Sequence, residues 1–549
     1  MSKYLKLFSN HSGYTGYKRS DSFVRPNVSY CIEQNDVHYN PSDYSNEYLT
    51  FVSPSATTMT WYYYSRDDLT YKTIYYSKDD GDTWTEVTQE NNTVSMGANE
   101  RVMVKGNNTH YAKGTYIKGG NGGISVGGYH QFIFGLDDEI RVYGNVMSLI
   151  YGDDFIGKKK LEEPYTFGYM FSMSSIADVE DLCLPADELT EGCYALMFYS
   201  SKITKAPKLP ATALATGCYS NMFRDCTALT TASELPATKM EKYCYQGMFA
   251  NCASLTNAPE LPSTELELAC YNGMFYECAS LESAPSFPAT VLKPLCYNGT
   301  FGETDVLPDC SNIDFTSESV VNSGGLYGLF RGTKVTDEDL FNILPTDTND
   351  KYCLPVMNLR TFDVDEIWKE VGPYQWMFSS CQDLTTAPEL PATNLCKSCY
   401  DAMFFASYSL ANAPSTLPAT SLAEYCYAEM FYSCSGLTNV PQALPATTLA
   451  TGCYSDMFRE CAALTTAPEL PATTLVNGCY SYMFNGCSNL NYIKAMFTTT
   501  PSTSWRGGTY KWVDGVAASG TFVKNSAATW TTTGVNGVPN GWTVETASA

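Results

Sequence analysis

The sequence predicts a mostly β chain with short helices: an N-terminal β-sandwich-like domain, then a repeat solenoid, then a small C-terminal β cap. Three observations predict it. One motif recurs at near-constant spacing through the middle of the chain, short alternating segments precede it, and a stretch rich in Trp, Gly and Thr follows it. At 549 residues the chain is too long for one compact core, so several domains or an array are required.

The repeat reads Cys-Tyr-x-x-Met-Phe-x-x-Cys-x-x-Leu-x-x-Ala-Pro-x-Leu-Pro-Ala-Thr-x-Leu. One copy carries Tyr219, Met222, Phe223, Cys226 and Leu229; another carries Tyr454, Met457, Phe458, Cys461 and Leu464. The Cys-Tyr pair recurs at 193, 218, 244, 270 and 296, then at 399, 426, 453 and 479. These steps fall within the roughly 20–29 residues of a leucine-rich repeat. A single copy cannot bury its Tyr, Met, Phe and Leu, whereas stacked copies share one core. The Tyr-x-x-Met-Phe spacing suits one helical or 3₁₀ turn with its apolar side inward. The Leu-x-x-Ala-Pro-x-Leu stretch suits a very short strand, because Pro207, Pro259, Pro388 and Pro468 each remove a ladder donor.

The expected segments are an extended N-terminal attachment segment (1–44), a β-sandwich-like domain (45–160), a first solenoid array (161–301), divergent repeats or an insert (302–373), a second solenoid array (374–491) and a C-terminal cap (492–549). Within the β-sandwich-like domain, Met59–Ser65, Thr73–Ser77, Arg101–Val104 and His130–Phe134 read as strands separated by Asp, Gly and Asn turns. Between Phe301 and Phe378 the motif degrades, and one continuous solenoid is favoured over two arrays flanking an insert. Trp505, Trp512, Trp530 and Trp542 of the last stretch would cover an end that otherwise exposes core.

Charge narrows the function. Asp and Glu total 58 against 34 Lys and Arg, a formal net charge of -24 that repels phosphate backbones and anionic lipid. Neither nucleic acid nor membrane is an expected partner. No stretch approaches the length of a membrane span, and Met1–Phe8 turns polar too soon for an export signal. The expected place of synthesis is therefore the cytoplasm, and the 21 cysteines are expected as buried thiols.

Candidate chemistry is sparse. Four histidines all precede the repeats, so no Cys–His or Ser–His–Asp pair can form inside the array. Cys396-Lys-Ser-Cys399 is an isolated C-x-x-C without a second pair at zinc spacing. Asp153-Asp154 and Asp337-Glu-Asp339 are weak Ca²⁺ candidates without a ligand loop. Glu234, Glu260, Glu389 and Glu469 recur at one repeat position and read as a solvated face. No catalytic residue, cofactor or metal ligand is expected. The 41 tyrosines among small polar groups suit a sugar- or protein-binding surface, although many belong to the core.

Three resemblances follow from these residues. Ser77, Asp79, Gly81 and Trp84 fit Ser-x-Asp-x-Gly-x-Thr-Trp, which resembles the Asp-box of sialidases and other β-propellers; a lone box implies a hairpin staple, not an enzyme. Leu-Pro-Ala-Thr, Met-Phe and Cys-x-x-Leu, as in Cys252-Ala-Ser-Leu255, resemble the BspA-like leucine-rich repeat. The order of segments, with Val28-Ser-Tyr-Cys31, Gly144–Asp154 and Gly541-Trp-Thr-Val544, looks like proteins of crAss-like and other Bacteroidales phages and of Bacteroidales genomes. That likeness implies a bacteriophage virion protein, a tail- or capsid-associated fibre or adhesin for host attachment. Its expected partners are other virion proteins, through the N-terminal region, and a host surface glycan or protein, with a homo-oligomer left open. A bacterial BspA-like surface adhesin is the alternative, and a polysaccharide depolymerase the lesser one.

Overall fold

The computed structural model describes residues 28–33, 36–41, 44–66, 69–117, 123–307, 310, 313, 324–344 and 372–547. The expected attachment segment is therefore described mainly as a ribbon in which β1 (Val28–Glu33) pairs antiparallel with β2 (Asp36–Pro41). Much of 302–373 lies outside the described residues. The chain forms two compact units: one runs to Ala237 and includes Cys252–Leu255, and the other takes Thr238–Asn251 and Thr256 onward.

In the first unit, period-two alternation builds a sandwich. The strands are β3 (Leu49–Val52), β4 (Thr57–Ser65), β5 (Ile74–Ser77), β6 (Thr85–Val87), β7 (Thr93–Met96), β8 (Arg101–Gly106), β9 (Ala112–Ile117), β10 (Gly123–Ile133) and β11 (Ile140–Asn145). A four-stranded antiparallel sheet has the order β7-β4-β10-β9. The larger sheet runs β12-β11-β3-β8-β5-β6, where β12 (Ile176–Asp178) and β13 (Leu182–Cys183) both join β11 in parallel. Met59 and Trp61 of β4 point inward, and Phe132 of β10 meets Phe51 of the facing sheet at 4.6 Å. A short helix α1 (Ser148–Tyr151) follows β11. The sandwich also starts the solenoid. Phe132 and Tyr111 amides donate to Met170 and Thr166 of the first coil, so strand backbone stands where a preceding coil would be.

The coils correct one expectation. The Cys-Tyr-x-x-Met-Phe-x-x-Cys segment is not a helical or 3₁₀ turn but a run of consecutive reverse turns. In the coil at 192–201, the amides of Cys193, Ala195, Met197, Tyr199 and Ser201 each donate three residues back, to Thr190, Gly192, Tyr194, Leu196 and Phe198. The intervening amides of Gly192, Tyr194, Leu196, Phe198 and Ser200 donate to the next coil, at Thr216, Cys218, Ser220, Met222 and Arg224. A helix would consume every amide internally. Here half of them point along the array, because φ turns positive at every fourth residue: Gly192 (57°), Leu196 (57°) and Ser200 (55°). A positive φ at the third position of a turn marks type II. The four-residue period buries side chains in pairs (Cys-Tyr, then Met-Phe), which is the spacing the motif shows.

The expected strand shrinks to single bridges such as Lys205–Thr231 and Thr386–Asn412, because the proline two residues on has no N–H to extend the ladder. In the second unit Asn491-Tyr-Ile-Lys-Ala-Met lacks that proline. A four-residue strand β14 (Tyr492–Ala495) results, and it pairs in parallel with β15 (Thr521–Lys524), which pairs with β16 (Thr543–Thr546). The C-terminal cap is thus built from further coils rather than from a separate fold.

Within this second unit the coil at Gly324–Thr333 takes bonds from Leu295, Gly299 and Glu303 and donates to Gln375, Met377 and Ser379. The helix α2 (Asp337–Ile343) leaves this coil behind a capping box formed by Thr336 and Asp339. No helix among the described residues is long and apolar enough to cross a membrane.

Gly478 sits at φ 63° with nothing nearer than 3.8 Å to an added Cβ, so Gly478→Ala probes backbone conformation alone. It should lower unfolding free energy by about 1–2 kcal/mol in denaturant titrations. An unchanged midpoint would show that the turn row tolerates negative φ there.

Candidate functional site

The repeat residues are core. Tyr219, Met222, Phe223, Cys226 and Leu229, and likewise Tyr454, Met457, Phe458, Cys461 and Leu464, are at most 1% exposed. Their rings form two ladders of offset stacks. In the first unit Tyr194 meets Tyr219 at 5.7 Å, while Phe171, Phe198 and Phe223 follow at 5.4 and 5.5 Å. In the second unit Tyr400, Tyr427 and Tyr454 are 5.6 and 5.7 Å apart, and Phe404, Phe431 and Phe458 are 5.5 Å apart. Both ladders of that unit end on fully buried Trp512, whose Nε1 donates to Gly537. Each stacked pair adds about 0.5–1.5 kcal/mol beyond simple burial.

The second cysteine of each coil has a role beyond filling space. Its Sγ donates to the carbonyl of the Phe one coil earlier: Cys226 to Phe198 at 3.0 Å, Cys434 to Phe404 at 3.0 Å, Cys487 to Phe458 at 2.9 Å. Where a coil lacks this cysteine, Ser407 Oγ makes the same bond to Phe378 at 2.9 Å. The described cysteines are free thiols, and all but Cys183 and Cys396 are buried. Burial pushes Cys226 up to about 11 and Cys193, Cys381 and Cys487 up to about 12. Such thiols are inert at neutral pH.

Ser77, Asp79, Gly81 and Trp84 close the turn from β5 to β6. Ser77 Oγ donates to Asp79 Oδ1 at 2.7 Å and accepts from the Gly81 amide at 2.8 Å. Asp79 also accepts from the Thr83 amide and hydroxyl, at 2.9 and 2.6 Å. Those Thr83 bonds, with the one from Ser77, hold its carboxyl down at about 2. Trp84 packs on Tyr48 at 5.0 Å beneath Lys105. Every group is committed to the hairpin.

The Ca²⁺ candidates are committed too. Asp153 accepts from Tyr48 and Lys105, and Asp337 accepts from Thr385 and Thr386. Among the described residues no three His, Cys, Asp or Glu side chains are grouped to hold a metal.

Exposed aromatic surface occurs in each unit, with different geometry. In the first, alternation along β4 turns Thr58, Thr60, Tyr62 and Tyr64 away from the core, and Tyr62 and Tyr64 are each 38% exposed. Tyr129 of β10 lies opposite Tyr64 at 5.3 Å and stacks on Tyr169 of the first coil at 4.8 Å. Burial pushes the Tyr169 hydroxyl up to about 12, with Tyr129 and Tyr199 adding to it, so the group stays neutral at physiological pH.

In the second unit, half-buried Trp376, Phe405 and Tyr432 pack on one another along the coils with tilted rings, at 5.1 and 4.8 Å. Arg331 lies over Trp376, and Arg459 sits against Tyr432 and Tyr482. That column spends its ring faces internally. Beside it Asp401 rises to about 7, chiefly through burial and then through Glu429, while its bond from Gln375 opposes the rise.

The tyrosine face was legible only as an alternation in Met59-Thr-Trp-Tyr-Tyr-Tyr-Ser65. That Tyr129 and Tyr169 complete it depends on sheet pairing and on the seating of the first coil.

The family described as BspA type Leucine rich repeat region matches the chain in six copies, over residues 189–296 and 427–504. Those two stretches are BspA-type leucine-rich repeats. No curated protein matches the sequence. Among solved structures, a leucine-rich repeat protein from Bacteroides ovatus ATCC 8483 is similar at 13% identity and a TM-score of 0.28, over 76% of this chain and 94% of that one. So distant a likeness transfers neither shape nor activity. That protein is nevertheless bacterial, and the expectation of a bacteriophage virion or tail-fibre protein is corrected accordingly. The order of segments behind that expectation has a physical cause. A BspA-type solenoid needs both ends covered whatever its source, so β domain, coils and cap recur without implying a phage.

Two outcomes test the core of the BspA-type coils. Ser407 Oγ also accepts from the Cys381 amide at 3.2 Å, so Ser407→Ala leaves the buried Cys381 amide and Phe378 carbonyl with only their mutual 3.4 Å bond. It should cost about 1–3 kcal/mol, against less than about 1 for Ser407→Cys, in chemical denaturation. Equal losses would remove the hydrogen-bonding role. The raised thiols also set a pH dependence. They stay protonated when folded but lose protons near 9 when unfolded, so above that value the unfolded chain binds fewer protons. Stability should therefore hold below about pH 9 and fall as pH climbs through 11 to 12, read by thermal melts across that range.

Proposed function

We propose that this chain is a non-enzymatic binding protein of the BspA-like surface-adhesin kind, whose repeats are scaffold and whose contact for a glycan is the tyrosine face of the first unit. One observation carries the reading: Tyr62, Tyr64, Tyr129 and Tyr169 gather on a rigid sheet face beside the hydroxyls of Thr58 and Thr60. A sugar ring presents an apolar face of C–H groups and a rim of hydroxyls, and a tyrosine surface offers both counterparts at low entropic cost. The absence of charge among these residues suits a neutral ligand. The net charge of -24 disfavours nucleic acid.

The depolymerase reading gains nothing from the geometry. The Asp-box carboxylate is spent within its turn, and the repeated Glu389 and Glu469 make local bonds to Ser415 and Lys494. A protein ligand would be an outcome of the same test.

Full-length protein screened against a glycan array should bind a neutral glycan, and Tyr62→Ala with Tyr64→Ala should weaken that binding by about tenfold per ring, near 1.4 kcal/mol each. The thermal midpoint should move little, since both side chains are exposed. Full affinity in the double variant, or no glycan bound at all, would sink the proposal.

A further inference from the structure

The C-x-x-C at Cys396 and Cys399 is the one sequence motif that neither the ladders nor the tyrosine face absorbs. In eight coils the turn row opens on the same reverse turn, closed by the amide of the Cys-Tyr cysteine, and residues 397–400 turn likewise. Its first corner is Thr190, Ala215, Glu241, Glu267, Lys293, Ala423, Ala450 or Val476 in other coils. Only the coil at Cys399 places a cysteine there, among the described residues. The third corner of that turn, Ser398, has φ 51°, matching Gly192, Gly217 and Gly452 in their coils. The pair thus occupies the first and fourth corners of a type II turn. Their Cα atoms then lie within about 7 Å, the separation beyond which a disulfide cannot form without backbone movement.

The two thiols are unlike each other. Cys396 is half-buried, whereas Cys399 is fully buried, with its Sγ 3.7 Å from the Cys426 carbonyl. Burial, and then the neighbouring Cys396 thiol, raise the Cys399 thiol well above its ordinary value, as expected of two thiols set side by side by the turn. One thiol thus belongs to a half-buried residue and the other to the core.

We infer that Cys396 and Cys399 form a thiol–disulfide exchange site that accepts a small disulfide, Cys396 attacking and Cys399 resolving. The Cys396 thiolate attacks one sulfur of a disulfide RSSR, whose S–S bond breaks. The departing RS⁻ takes up the proton that Cys396 lost, leaving a mixed disulfide. Cys399 then gives up its proton and attacks Cys396 Sγ, expelling the second sulfur as RSH. The protein dithiol is oxidised by two electrons, and RSSR is reduced to two RSH. The buried thiols of the other coils are closed to a disulfide in solution and stay reduced.

Folded full-length protein should be incubated with glutathione disulfide, quenched in acid, alkylated and mapped by peptide mass spectrometry. The expected product is a Cys396–Cys399 link, recorded as the loss of two hydrogens, with the buried cysteines of the repeats alkylated only after unfolding. Cys399→Ser should stop at a glutathione adduct on Cys396, and Cys396→Ser should leave the site unmodified. A persistent adduct on Cys396 in the unmutated protein, a link from Cys396 to Cys426, or an unmodified pair would each overturn the inference. The map of the unmutated protein decides this even if the buried Cys399→Ser variant does not fold.

Discussion

The alternation of backbone amides along each turn row governs the rest of this protein. One amide closes a reverse turn within its own coil, and the next reaches across to the neighbouring coil. Buried backbone groups must be paired, and this arrangement pairs them in two directions at once. It requires a positive φ every four residues. That conformation costs about 1–2 kcal/mol for a residue with a side chain, and it persists because each inter-coil bond holds it. Leu196, Leu295, Tyr243 and Tyr425 all sit in that region, which shows that stacking outweighs intrinsic preference.

Side-chain order follows from the same row. Because the chain turns every four residues, neighbours point inward in pairs, and each pair lies over its copy in the next coil. Tyrosine and phenylalanine rings then stack face to face without any helix or long strand to align them. The recurrent cysteine is explained by a carbonyl rather than by redox chemistry. The Phe carbonyl of each coil has capacity for a second donor, and a small S–H or O–H side chain from the next coil supplies it. Ser407 in place of cysteine marks the requirement as a donor of small size.

A scaffold of this kind leaves little room for chemistry. Aromatic, thiol and aliphatic groups are sealed in the ladders, and in the half-buried column of Trp376, Phe405 and Tyr432 arginines cover the first and last rings. The tyrosines of β4 and β10 differ, because a sheet face spreads rings side by side instead of stacking them along the coils. The Asp-box and the paired carboxylates near Tyr48 and Thr385 look like sites in the sequence. In the fold they are joints, each carboxylate already satisfied by nearby hydroxyls, amides or an amine.

The sequence by itself determined the repeat, its spacing, the sandwich strands and the burial of Tyr219, Phe223, Tyr454 and Phe458, because periodic apolar positions report what must leave water wherever the chain goes. It also held an unread signal for the turn row: Gly192, Gly217, Asn221, Asp225, Gly247 and Asn251 recur every four residues at the positions where φ turns positive. The helical reading failed because spacings of four and 3.6 are hard to tell apart over two turns. Only the tertiary structure decided which amides cross between coils, that Cys226 and its equivalents are donors, and that Tyr62, Tyr64, Tyr129 and Tyr169 share a surface. Those outcomes depend on contacts between residues far apart in the chain, and local preference carries no record of partners that distance alone does not forbid.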